Sequence, residues 1–142
     1  MTLTNARIET SRSESPFRSR WSFHGYAIIS ALLGLDLILF GGWIADRAIS
    51  SQVLATTMDF GLYARALGVG CVAFGGLIII SAGRGTQWAA FAPVMAGTAG
   101  AVSVMGALAG LSVLTGFGIG LLLAAASLDF LFMVLMRRAL AG

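Results

Sequence analysis

The chain contains no lysine, a single cysteine (Cys71), a single histidine (His24) and two prolines, and only 11% of its residues are charged. Each scarcity excludes something. One cysteine can neither close a disulfide within the chain nor build a cysteine-only metal site. His24 stands near the start of the first apolar run, and the two aspartates buried in sequence among apolar residues are too few to complete a ligand set, so no metal and no cofactor is implied. There is no CxxC, no HExxH and no phosphate-cradling loop. The glycines of "GVGCVAFGG" (68–76) lie inside an uncharged apolar run with no strand before them, the wrong context for a nucleotide. Ser, His and Asp occur without a spacing that would assemble a triad. No catalytic residue is assigned, and the chain is expected not to be an enzyme. A soluble domain carries about 25% charged residues, so a chain with 11% could not cover its own surface in water.

What is present is apolar. Hydrophobic residues make up 58% of the 142, the mean hydropathy is +0.91, and the length allows one domain. The first twenty residues are the exception: polar, with four arginines and no apolar periodicity to bury. They are expected to form a disordered cytoplasmic tail, leaving 21–142 as the membrane domain. The apolar run that follows exceeds the ~7–15 residues of a signal peptide's core, so it reads as a first spanning helix, 23–44. A second run covers 62–82, joined by the tight "GRGTQ" link to a stretch from Trp88 to Met136 whose only charge is Asp129. As one helix that stretch would measure roughly 73 Å, more than twice the ~30 Å hydrocarbon core. It must turn back near "LSVLTGFG", giving spans of 88–110 and 115–136. The expected fold is all-α, an integral membrane four-helix bundle.

Arginine placement sets the orientation. Arg7, Arg12, Arg18, Arg20, Arg84, Arg137 and Arg138 share one side of a four-span topology; Arg47 and Arg65 occupy the other, offset by Asp46 and Asp59. The positive-inside rule puts both termini in the cytoplasm. The basic side would attract anionic lipids, which accounts for a pI of 10.0 without nucleic acid. Basic residues that are all arginine, with 19 glycines, match a GC-rich bacterial genome, so the expected location is the bacterial cytoplasmic (inner) membrane. Trp21, His24, Trp43 and Trp88 fall at span ends and read as interface anchors. His24, with Tyr26 beside it, is taken as an anchor and not as a haem or chlorophyll ligand.

In lipid, close approach of small residues replaces the hydrophobic drive for helix packing. Gly34 with Ala27 and Ala31, Gly68 and Gly75 with Cys71, Gly100 with Ala92 and Ala96, the GxxxG pair Gly106 and Gly110, and Gly116 with Gly120 and Ala124 are the expected packing positions. They fit a tight bundle, and some fit self-association equally well.

Two acids interrupt the apolar runs: Asp36 in "LLGLDLILFGG" and Asp129 in "SLDFLFMVL". At about 100° per residue each points away from its helix's small-residue stripe. A charge facing lipid at mid-span costs at least ~2.5–3.5 kcal/mol, so both are expected to face protein or a water-filled cavity, at depths that let them meet. They are the candidates for a proton or ion site, or for a contact with a partner. Finally, Arg65 leads the glycine-spaced "YARALGVGCVAFGGLIIIS", which a short basic link joins to the third span. This layout resembles the DoxX-like group of small four-helix bacterial membrane proteins, over roughly residues 26–138. The resemblance implies an accessory membrane subunit, in some cases associated with redox complexes, and carries no catalytic residue across. The residues themselves point the same way, to an accessory or structural subunit of a membrane complex or a homo-oligomer. The alternative is a small proton- or cation-coupled transporter or channel using Asp36 and Asp129.

Overall fold

The computed structural model describes residues 15–54 and 59–141, and these form an all-α structure. Six helices follow one another: α1 (Ser15–Ala48), α2 (Ser51–Leu54), α3 (Phe60–Gly83), α4 (Thr86–Ala89), α5 (Phe91–Ala109) and α6 (Gly116–Ala141). Four segments are long and apolar enough to cross a membrane: Trp21–Ala48, Phe60–Gly83, Gln87–Ala109 and Gly116–Ala141. The chain is a multi-pass membrane protein.

Local chemistry explains where the helices start, bend and stop. The tail expected over residues 1–20 lies outside the described residues as far as residue 14; from Ser15 the backbone is already helical. Pro16 suits that first turn, where its missing N–H has no helical acceptor to lose. Within α1, Phe40 leaves helical geometry (φ −116°, ψ 16°) just before Gly41 and Gly42, a glycine-pair kink. Asp59 caps α3, its carboxylate accepting the Leu62 N–H at 3.0 Å. Gly85, at φ +110°, makes the link after α3 in a conformation that side chains disfavour. Pro93 falls in the first turn of α5, where its lack of a donor is harmless. Beyond Met136, α6 continues to Ala141 and carries Arg137 and Arg138 with it.

The packing inverts the pattern of a soluble protein. Seven alanines (Ala27, Ala45, Ala89, Ala92, Ala96, Ala107 and Ala126) are among the buried apolar residues, whereas Leu39, Met105 and Leu108 are about two-thirds exposed. Such a surface belongs against lipid or another apolar surface and not against water. Helix α1 packs chiefly on α3 and α5 on α6, and the two pairs meet through α1 and α6. Backbone touches backbone in the first pair: a methyl at Gly68 would come 2.5 Å from the Gly34 carbonyl oxygen, and one at Gly75 would come 2.8 Å from that of Ala27. Phe23, Tyr26, Ile78, Ala92, Ala96, Phe132 and Met136 bring all four spans together in one cluster. It lies at the end of the bundle that also holds Arg84, Arg137 and Arg138.

At the far end the connecting segments are latched together. The Ser50 N–H donates to the Val113 carbonyl at 2.8 Å and the Thr115 N–H to that of Ala48 at 2.9 Å. The Thr115 hydroxyl donates to the Arg47 carbonyl and accepts the Gly118 N–H at 3.3 Å, opening α6. Gly118 is buried against the Ala48 backbone, where a Cβ would collide with the carbonyl.

Candidate functional site

A polar cluster inside the bundle includes a carboxyl from α6. Asp129 is half-buried, and its Oδ1 accepts a 2.6 Å hydrogen bond from the Tyr26 hydroxyl of α1. The tyrosine is 2% exposed, with its ring fixed on two sides: Phe74 of α3 meets it edge-on at 5.8 Å, and Phe132 of α6 lies tilted against it at 5.4 Å. An aromatic body in an apolar site with its hydroxyl on a partner is how tyrosine tolerates burial. Ser30, also buried, stands one turn further along the same face of α1 and interacts with the same phenol. From α5, Gly100 makes the room: a Cβ there would lie 3.2 Å from that of Asp129 and 3.1 Å from Phe130 Cζ. A phenol and a hydroxyl from α1 and a carboxyl from α6 thus converge, with Phe74 of α3 against them and α5 shaped to admit them. Such groups can exchange protons. Among the described residues no three His, Cys, Asp or Glu side chains gather as a metal would require.

Asp36 is elsewhere. It lies ten residues beyond Tyr26 on α1, about 15 Å along the helix, and it is exposed. The two acids do not meet, and of the two only Asp129 turns into the bundle. The reason is rotational. Gly34 faces α3 at backbone contact, and a residue two positions later points about 160° away, which on α1 is the outside. Around Asp36 that outer face carries Leu32 and Leu39, both more than half exposed.

The small residues divide in the same way. Gly34, Gly68, Gly75 and Gly100 are buried. Gly106 is exposed and makes only an ordinary 3.7 Å approach to Leu122; Gly110 crowds the side chain of Leu114 in its own turn. A Cβ at Gly116 or Gly120 would meet nothing within 4 Å, and the two glycines share an exposed face with Ala124. The inner face of α6 is instead Gly118, Ala126, Phe132 and Met136. Large residues fill the centre there, and a small-residue face can point to lipid at no cost because lipid is as apolar as the core.

Trp21, His24, Trp43 and Trp88 are exposed. The Arg47 guanidinium stacks over Trp43 at 4.6 Å and that of Arg84 over Trp88 at 5.9 Å, so two tryptophans sit beside charges where a span leaves the membrane. Tyr26, read from sequence as an anchor beside His24, belongs to the interior. Its signal was there: Tyr26, Ala27, Ser30 and Gly34 recur at three- and four-residue spacing on one face, so two polar residues share the stripe of small ones. No protein-family model, curated protein or solved structure matches this chain.

Proposed function

We propose that this membrane protein is an accessory or structural subunit of a membrane assembly, built from other subunits or from further copies of itself, that docks through the outer face of α1. One observation carries the reading: Asp36 is exposed within two residues of the middle of the Trp21–Ala48 span. A carboxyl left against hydrocarbon at that depth is costly, and a protein surface supplying a hydrogen-bonding group removes the cost. Leu32, Asp36 and Leu39 follow the alternating four- and three-residue spacing at which one helix seats against another. The layout resemblance to the DoxX-like group supports the same role. A photo-activated cross-linker placed at Leu39 in native membranes is expected to yield a protein adduct, whereas one at Leu108, on the outside of α5, reacts with lipid only. Lipid adducts alone at both positions would refute the docking face.

The membrane is that of a bacterial cytoplasm in this reading, with both termini on the cytoplasmic side and anionic lipids against the arginines there. Support comes from the grouping of Arg84, Arg137 and Arg138 at one end, against Arg47 and Arg65 at the other. Alkaline phosphatase fused to the C-terminus is expected to be inactive, and fused after Asp46 to be active; the reverse pattern would invert the topology.

A second reading, a small proton- or cation-coupled transporter, has its own observation in the Tyr26–Asp129 bond. It draws on the Asp129 cluster alone, since Asp36 lies apart from it.

A further inference from the structure

Helices α5 and α6 run antiparallel in a legible register: Gly97 faces Met133, Gly100 faces Phe130 and Gly106 faces Leu122. Continuing that register brings Pro93 level with Arg137, at the arginine-bearing end. Along the outer side of this pair runs a groove of about 420 Å³. Its α5 wall is Pro93, Gly97 and Ala101, one turn apart and all slight, with Val94 beside them; its α6 wall is Phe130 and Met133, with Arg137 at the rim. Thr98 also lines it, but its hydroxyl is bonded back to the Val94 carbonyl at 2.9 Å, so the trough makes no polar demand on an occupant. From Pro93 to Ala101 it extends about 12 Å into the membrane.

We propose that this groove binds an anionic phospholipid, with an acyl chain in the trough and the headgroup phosphate on the Arg137 guanidinium. The chemistry of the walls matches that amphiphile from end to end: one cation at the membrane surface, apolar atoms below it. Arginine is the side chain suited to a phosphate, which it can grip with two parallel N–H donors. An apolar partner helix seated here would leave the Arg137 charge without an anion, which a headgroup phosphate supplies. Arg138 supplies the contrast. It is also exposed and one residue away, yet turned about 100° around α6 and outside the groove.

Native mass spectrometry of the full chain, titrated with phosphatidylglycerol or phosphatidylcholine, tests the site. The wild type is expected to bind phosphatidylglycerol about fivefold more tightly, the share of one arginine at a membrane surface. Arg137→Gln removes that preference and Arg138→Gln keeps it. Ala101→Phe fills the trough and weakens both lipids several-fold while the preference survives, which reads the site even if the arginine variant does not fold. Equal losses from the two arginine variants would mean a diffuse surface attraction and overturn the proposal, as would unchanged binding in Ala101→Phe.

Discussion

Gly68→Leu is expected to separate α1 from α3 and to cost about 3 kcal/mol or more, while Gly70→Leu, two residues further on and about 160° around the helix, changes stability by less than about 0.5 kcal/mol. The difference lies in what each Cβ would meet. At Gly68 it would come 2.5 Å from the Gly34 carbonyl oxygen and 2.9 Å from Leu37 Cβ; at Gly70 it would meet nothing within 4 Å. The first obstacle is backbone, which has no rotamer to change, so even Gly68→Ala should force the helices apart. The reciprocal site behaves alike, because a Cβ at Gly34 would come equally close to the Gly68 oxygen and 2.7 Å from Val72 Cγ2. In lipid no hydrophobic force pulls the separated helices back; van der Waals contact along the seam is most of what holds them. Unfolding of the purified protein by graded SDS would measure this. Equal midpoints for the Gly68 and Gly70 variants would show that the two helices do not touch there.

That seam was readable in the amino-acid sequence because a glycine needed for backbone contact leaves a stripe at helical spacing. Gly34 and Gly41 on the first span, with Gly68 and Gly75 on the second, line such stripes, and all four are buried. The same rule misplaces the face of α6. In a soluble protein the wrong face would betray itself by being polar, but Gly116, Gly120 and Ala124 are as acceptable to lipid as to a core. No periodicity in polarity separates the two sides of such a helix. Spans and turns were legible for the opposite reason: length, charge and the backbone limits of glycine and proline are local matters, and Gly85 and Pro93 stand where those limits require. The acids mark the boundary between what is local and what is not. In sequence Asp36 and Asp129 are the same feature, a carboxyl in a greasy run. Only the crossing of α1 with α6 gives one of them a buried tyrosine and leaves the other at the surface. The start of α1 at Ser15 was hidden by composition, because serines and arginines without an apolar face look like tail although their backbone can extend a helix begun further in.

Replacing Tyr26 or Asp129 alone is expected to destabilise the protein by about 1–3 kcal/mol, and replacing both by less than the sum. In Tyr26→Phe the half-buried carboxyl loses its 2.6 Å donor; in Asp129→Leu the phenol, 2% exposed, loses its acceptor. Each single change leaves a polar group in an apolar site, and the penalty is that of an unmade bond. The double variant leaves neither group, so the cycle should show a coupling of about 1 kcal/mol, within the ~0.6–1.7 kcal/mol measured for side-chain bonds between membrane helices. The ring contacts of Phe74 and Phe132 remain in all three variants, and the Ser30 interaction is lost in both variants that lack the phenol, so these contributions cancel in the cycle. Zero coupling would mean that the phenol and the carboxyl do not bond in the membrane. Asp129→Asn then divides structure from transport. Its amide oxygen still accepts the tyrosine hydroxyl, so stability should stay within about 0.5 kcal/mol of the wild type, but an amide cannot release a proton. A subunit that uses the bond only to hold α1 against α6 will bind its partners with either side chain. A proton-coupled transporter would lose its flux into liposomes with asparagine while keeping its fold.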